Sequence, residues 1–205
     1  MPVFRLTYFD SPGRAEPIRL AMFLAKLPFE DRRLKFPEFA ALKEQGAFPL
    51  GAVPMLEVDG RPIVQTAAIL RYVARLGAPA LYPSDPYAGL LVDSVLETFN
   101  DTVSHLMRPS LFERDVAKKI EMRRALLDGA LGAALRYVEG LIGDGPFLTG
   151  AELTIADLVL GETCRQYKSG SLDGLSAETL AAYPKLARLG EAYAAHPGIT
   201  AYAAR

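Results

Sequence analysis

The sequence predicts a mixed α/β domain followed by an all-helical one. Three observations carry that expectation. Val3 to Phe9 alternates in character and leads into a helical stretch and a second strand-like stretch. Asp59-Gly60 sits between two short strand-like runs. Beyond residues 77–86, where Gly77, Pro79, Pro83, Ser84 and Pro86 cluster, apolar residues recur at helical spacing to the end of the chain.

In order along the chain, Val3 to Phe9 reads as a strand with Phe4, Leu6 and Tyr8 on one face and Arg5 and Thr7 on the other. Tyr8 then falls near its C-terminal end. Ser11-Pro12-Gly13 makes a turn. A helix runs through about Lys26, with Ile18, Ala21, Met22 and Ala25 on one face and Pro17 tolerated in the first turn. Phe29 to Leu34 is the second strand, and strand–helix–strand implies a right-handed parallel crossover. Met55–Val58 and Ile63–Val64 flank Asp59-Gly60 as a hairpin. Thr66 opens a helix through Tyr72. With one further helix between the second and third strands, the order is βαβαββα, that of a thioredoxin-like sheet. Residues 1–77 form this domain, 78–86 a linker, and 87–205 an all-helical domain. In that second domain Tyr87, Leu91, Val95, Phe99 and Val103 form one stripe. Val116, Ile120, Leu127, Leu131, Leu135 and Val138 predict a second long helix. Shorter helices are expected near 154–167, 177–180 and 184–195, the last stopped by His196-Pro197-Gly198.

Composition excludes several classes of function. The chain has 205 residues, 50% hydrophobic and 23% charged, with a net charge of −1, so it lacks the surplus of Lys and Arg that a nucleic-acid backbone requires. No stretch is long and apolar enough to span a bilayer. The N-terminal residues do not read as a signal peptide. Cys164 is the lone cysteine, which excludes an internal disulfide, and His105 and His196 are too few and too far apart for a metal site. These features predict a cytoplasmic protein with no metal, no nucleic-acid partner and no membrane. Without a secretory signal, the glycosylation pattern at Asn100-Asp101-Thr102 is a chance match.

Several short patterns have both a structural and a functional explanation. Thr154-Ile155-Ala156-Asp157 is a capping box, flanked by Leu153 and Leu158 at staple positions, and it has no catalytic role. Val53-Pro54 precedes a strand. The proline is either an ordinary strand-start residue or the marker of a cis bond that turns the Val53 N–H and C=O toward an extended peptide ligand. Gln65-Thr66 begins a helix, which is a plain cap or an anion site. Asp93, Glu97 and Asp101, spaced by four, form a solvated face or a negative stripe toward a cation. Tyr8 is a core tyrosine or a hydroxyl donor at a strand end. Arg14 stands at a helix N-terminus, where a cation is disfavoured, so a partner such as a thiolate or carboxylate would explain it. Lys43 alone reads as a surface lysine.

Their order along the chain resembles one family. Tyr8-Phe9-Asp10-Ser11-Pro12-Gly13-Arg14-Ala15-Glu16-Pro17-Ile18-Arg19 is similar to the N-terminal signature of the cytosolic glutathione transferases that use tyrosine. Val53-Pro54-Met55-Leu56, Asp59-Gly60 and Gln65 to Tyr72 resemble their glutathione-binding half, and Thr154 to Asp157 their C-terminal capping box. The likeness spans the chain and is nearest to the sigma class, which includes glutathione-dependent prostaglandin D synthases and S-crystallins.

The resemblance implies roles. Tyr8 donates to the sulfur of the co-substrate glutathione, and Arg14 supports the Tyr8 hydroxyl or the thiolate. Val53, beside cis Pro54, pairs with the cysteinyl backbone. Gln65 and Thr66 hold the γ-glutamyl carboxylate, and Lys43 contacts the glycine end. Asp101 of a homodimer's other subunit meets the γ-glutamyl amine. Phe39 occupies the glutathione-site position where sigma members often carry a tryptophan donor, so that contact is lost. Ala52 stands where some members have lysine. With no tryptophan in the chain, prostaglandin synthesis is discounted.

The activity implied is conjugation of glutathione to small hydrophobic electrophiles, with Phe9, Val103 and Met107 as the apolar wall for the second substrate. The alternatives are a glutathione-dependent isomerase or peroxidase of the same fold, or a non-catalytic S-crystallin-like protein. With no cysteine in the N-terminal half, thioredoxin-type redox chemistry is all but excluded. Ser11 is the alternative donor to the sulfur.

Overall fold

A computed structural model describes residues 2–77 and 80–205, the side chains of 101–104 excepted. The chain divides into two compact units, Met1–Leu81 and Tyr82–Arg205.

In the first unit, β1 (Phe4–Phe9), α1 (Glu16–Leu24), β2 (Glu30–Leu34), α2 (Phe36–Glu44), β3 (Met55–Val58), β4 (Arg61–Val64) and α3 (Thr66–Leu76) follow in the expected order. Among the described residues they build one sheet of order β2-β1-β3-β4. β1 runs parallel to β2 and antiparallel to β3, with Tyr8 opposite Arg33 and Thr7 opposite Met55. β1 is therefore an inner strand, and Leu6, Thr7 and Tyr8 are all buried. β4 is an edge strand, which is why Pro62, with no N–H to give, is tolerated inside it. Asp59 and Gly60 both take positive φ, 50° and 78°, as a two-residue hairpin turn requires.

α1 ends at Leu24, short of the expected Lys26, because Lys26 itself adopts φ 55° and closes the helix. The core of the unit joins Leu6, Ile18, Met22, Leu56, Ile69, Leu70 and Val73, each at most 1% exposed, as α1 and α3 pack against each other. α2 is placed differently. None of its residues is buried, so it could be anticipated only as an interval between strands.

In the second unit the helices are α4 (Pro86–Glu97), α5 (Ser104–Phe112), α6 (Val116–Asp128), α7 (Ala130–Leu141), α8 (Ile155–Lys168), α9 (Ala177–Leu180), α10 (Pro184–Ala195) and α11 (Pro197–Ala203). Two expectations need correction. The predicted long helix over Val116 to Val138 is two helices, because the backbone leaves helical geometry at Gly129 (φ −111°, ψ −123°). The stripe from Tyr87 to Val103 does not lie on one α-helix either. A π-helical turn, Thr98–Val103, follows α4, and at its start the Ser94 carbonyl accepts from both the Thr98 N–H and the Thr98 hydroxyl, the latter at 2.7 Å. Tyr87, at the head of the stripe, is exposed, whereas Val95 and Phe99 are buried.

α8 is the hub of the second unit, with Ile155, Ala156, Leu158 and Leu160 fully buried. Its approach to α10 is set by small residues. A Cβ on Gly161 would lie 2.2 Å from the Tyr193 ring, and one on Gly190 would lie 2.7 Å from Cys164 Cβ. The Tyr193 hydroxyl donates to Glu162 at 2.7 Å, which satisfies the polar tip inside the packed contact.

The capping box closes α8 as expected and does more. Asp157 Oδ2 accepts from the Thr154 N–H at 2.8 Å and from its hydroxyl at 2.7 Å. Oδ1 accepts from the Leu148 N–H at 2.7 Å, which ties the preceding turn to the helix start. Burial pushes the Asp157 carboxyl up, and the donors oppose that shift.

Candidate active site

The candidate site is built at the C-terminal end of β1. Tyr8 is buried, with 8% of its surface exposed. The chain turns through Ser11 and Pro12 into a 3-10 turn, Gly13–Ala15, that leads into α1. In this turn the backbone N–H of Arg14 donates to the Tyr8 hydroxyl oxygen at 3.2 Å. The approach depends on Gly13. It adopts φ +44°, and an added Cβ there would stand 2.6 Å from the Tyr8 oxygen.

The Arg14 side chain points to a different partner. Its Nη2 donates to the Val53 carbonyl at 2.7 Å, and the Val53–Pro54 bond is cis. The two halves of Arg14 therefore join the Tyr8 turn to the loop before β3. The sequence offered both Val53 backbone groups to a ligand, yet the carbonyl is already engaged through one lone pair.

Arg14, Val53, Pro54, Gln65 and Thr66 line one small open cleft, together with Leu50, Ala52 and Val64. Gln65 precedes α3 with φ 84° and ψ 103°, a backbone conformation rare for a residue with a side chain. Thr66 Oγ1 is buried and has no hydrogen-bond partner. A buried hydroxyl left unpaired beside the free N–H groups of a helix start fits an anionic group.

Lys43 is exposed and makes no ion pair among the described residues. Its stem lies against Gly51, where an added Cβ would meet its Cε at 2.9 Å, next to Leu50 and Ala52 of the cleft wall. Phe39 belongs to an aromatic cluster. It stacks on Phe48 at 5.2 Å and meets Phe9 edge-on at 5.0 Å, while Phe9 stacks on the exposed Phe36 at 5.9 Å. Phe9 in turn contacts the Tyr8 ring at 5.3 Å. Met107 lies on α5 of the second unit and is buried. The side chains of Asp101 and Val103 lie outside the described residues.

Two features of the site escaped the sequence reading. Leu50 lines the cleft with φ 58° and is 79% exposed; nothing in its residue type announces this. Arg19 is 1% exposed beneath the Tyr8 turn. The signal for it was visible in retrospect: one arginine interrupts the apolar run Pro17 to Met22.

Among the described residues, no cluster of His, Cys, Asp and Glu would hold a metal ion, and no helix is long and apolar enough to cross a membrane.

With the geometry in place, comparison with known proteins identifies the family. The family profile for the glutathione S-transferase N-terminal domain matches residues 4–75, and that for the C-terminal domain matches residues 100–205. Glutathione S-transferase 1 of Ascaris suum is 33% identical over 181 residues, covering 86% of this chain and 85% of the relative. S-crystallin SL11 of Nototodarus sloanii is 33% identical over 208 residues, covering 98% and 96%. The solved structure of prostaglandin synthase D of Nilaparvata lugens matches with a TM-score of 0.82 at 27% identity, over 100% of this chain and 98% of that one. The chain belongs to the glutathione S-transferase family.

Proposed function

We propose that this glutathione transferase activates its co-substrate through Tyr8, whose hydroxyl donates to the sulfur, and that the sulfur is then joined to a small hydrophobic electrophile. The observation that carries the reading is the bond from the Arg14 N–H to the Tyr8 oxygen at 3.2 Å. It occupies a lone pair of the hydroxyl and leaves the O–H proton for another acceptor; among the described residues there is none. A thiolate aligned with that proton would complete the arrangement.

Glutathione supplies the nucleophile, and its thiol, with a free pKa of about 8.5, is only a few per cent ionised at pH 7. Tyr8 and the nearby N–H groups favour the charged form. A drop of one to two units, roughly 1.4 to 2.8 kcal/mol, makes thiolate a large fraction of the bound species. Gln65 and Thr66 would hold the γ-glutamyl carboxylate, Val53 the cysteinyl backbone and Lys43 the glycine end. Phe39 offers an aromatic surface there in place of a donor.

Residues 1–77 serve as the glutathione-binding domain in this reading. Phe9, Val103 and Met107 are assigned to the second-substrate wall. Membership nearest the sigma class, a cytoplasmic setting and a homodimer in which Asp101 reaches the other subunit's γ-glutamyl amine complete it. Sedimentation tests the dimer: a fully active monomer at micromolar concentration removes Asp101 from the site.

Thiolate absorbance of bound glutathione against pH, measured for wild type, Tyr8→Phe and Ser11→Ala, tests the mechanism. Tyr8→Phe is expected to raise the thiol pKa by about one to two units and to slow aryl-halide conjugation about 10- to 100-fold. An unchanged pKa and rate in Tyr8→Phe, with both altered in Ser11→Ala, assigns the donor to Ser11. A protein that binds glutathione but conjugates and isomerises nothing is the S-crystallin-like alternative.

A further inference from the structure

Arg19 lies in the middle of α1 with 1% of its surface exposed. A guanidinium so buried is costly unless its N–H groups find acceptors. Here they do. Nε donates to both Asp31 oxygens at 3.1 Å, and Nη1 donates to the Ser11 carbonyl at 2.8 Å and to Glu16 at 3.0 Å. Nη1 also reaches the Pro12 carbonyl, and Nη2 the Phe9 carbonyl, each at 3.4 Å. The guanidinium carbon stands 6.0 Å from the centre of the Tyr8 ring.

Two carboxylates already balance the charge, so ion pairing does not explain the whole arrangement. The other three acceptors are backbone carbonyls of Phe9, Ser11 and Pro12, the loop that carries the chain from Tyr8 to Gly13 and Arg14. A carbonyl held on one side of a peptide fixes the direction of the next N–H, because the peptide is planar. With the carbonyls of residues 9, 11 and 12 drawn onto one rigid fork, the loop is fixed as far as the Pro12–Gly13 peptide, one peptide short of the Arg14 N–H that meets the Tyr8 oxygen. Asp31 is held in its turn by Arg33 at 2.9 Å, and Arg33 by Asp10 at 3.2 Å, so the clamp is anchored in β2.

We propose that Arg19 is a positioning residue for the sulfur-activating tyrosine, acting through the Phe9–Pro12 carbonyls; this rests on the Tyr8 reading above. A lysine would keep the positive charge but lacks the planar fork that reaches several carbonyls at once. A merely structural arginine would alter the melting temperature and leave the sulfur chemistry alone.

The test compares Arg19→Lys and Tyr8→Phe in the intact protein, with thiolate absorbance of bound glutathione against pH, KM for glutathione and kcat with an aryl halide. Arg19→Lys is expected to raise the thiol pKa by about one unit and to lower kcat about tenfold near pH 6.5, with recovery at high pH, where thiolate forms unaided. KM for glutathione stays within about twofold, because Gln65 and Thr66 stand at the start of α3, outside the Phe9–Pro12 loop. If Tyr8→Phe raises the thiol pKa and Arg19→Lys does not, the positioning role is refuted and the Tyr8 reading stands. If Tyr8→Phe itself leaves the pKa unchanged, the Tyr8 reading fails first. Arg19→Gln, read in the same way, serves where the lysine variant does not fold.

Discussion

Gly13 stands directly against the Tyr8 hydroxyl: an added Cβ would lie 2.6 Å from the phenolic oxygen and 2.9 Å from the ring. No adjustment of a flexible side chain relieves that contact, since the tyrosine is buried. Gly13→Ala is therefore expected to displace the hydroxyl and lower the conjugation rate at least about tenfold. It also forces alanine into a left-handed conformation, at about 1–2 kcal/mol. Gly46→Ala is the matched control, because Gly46 has φ +74° and nothing within 4 Å of its Cβ position. Equal activity losses in the two variants, measured with an aryl halide, would show that strain alone is responsible.

Thr66 has a hydroxyl with no hydrogen-bond partner among the described residues. Its Oγ1 is buried without a partner, so Thr66→Val removes an unsatisfied group and keeps the shape. The variant is expected to be as stable as wild type or up to about 1 kcal/mol more stable. KM for glutathione should rise about 5- to 20-fold with kcat largely kept, as for an interaction made equally in the ground and transition states. A loss of stability, with KM unchanged, would return Thr66 to an ordinary helix-start residue.

Asp157 serves three donors from two segments, so its loss is expected to exceed that of its capping partner. Thr154→Ala should cost about 1 kcal/mol in urea unfolding. Asp157→Ala should cost about 3 kcal/mol or more, because it leaves the Leu148 and Thr154 N–H groups buried and unpaired. Equal costs would mean that the Leu148 bond contributes nothing beyond the cap.

Cys164 is 1% exposed, and burial pushes its thiol up to about 12. At pH 8 only about one molecule in ten thousand carries the reactive thiolate. The native protein is expected to resist a disulfide reagent at that pH and to take up one equivalent once unfolded in urea. Rapid reaction of the folded protein would show that α8 and α10 open readily around Gly190.

The order of elements in the first unit was legible because its signals are local. Alternation over Phe4 to Tyr8, the Asp59-Gly60 turn and the helix start at Thr66 each depend on a few adjacent residues. Where the sequence misled, the apolar spacing continued across a break in the α-helical backbone. The stripe from Tyr87 to Val103 keeps perfect spacing on paper, yet Thr98 Oγ1 bonds the Ser94 carbonyl and the α-helix gives way to a wider turn. Gly129 lies inside the apolar pattern from Val116 to Val138 and divides it into two helices.

The same holds for the site. Arg14, Val53, Pro54, Gln65 and Thr66 meet at one cleft, and each had been singled out from its type and place. The resemblance has Arg14 supporting the Tyr8 hydroxyl or the thiolate; its backbone N–H donates to the Tyr8 oxygen and its guanidinium to the Val53 carbonyl. Arg19 stands out inside the apolar run Pro17 to Met22, but its partners do not, because most of them are carbonyls, which every residue carries, and Asp31 is twelve positions away.

The stacking of Phe39 on Phe48 at 5.2 Å has a use in spectroscopy. The chain contains no tryptophan, so its near-ultraviolet emission comes from nine tyrosines spread over both units. A Phe39→Trp exchange would place a single indole fluorophore in the cluster that joins Phe9 and Tyr8 to Phe48, silent to the rest of the fold. With glutathione placed as proposed above, its emission would report binding in real time, and its quenching would separate the binding step from the bond-forming one.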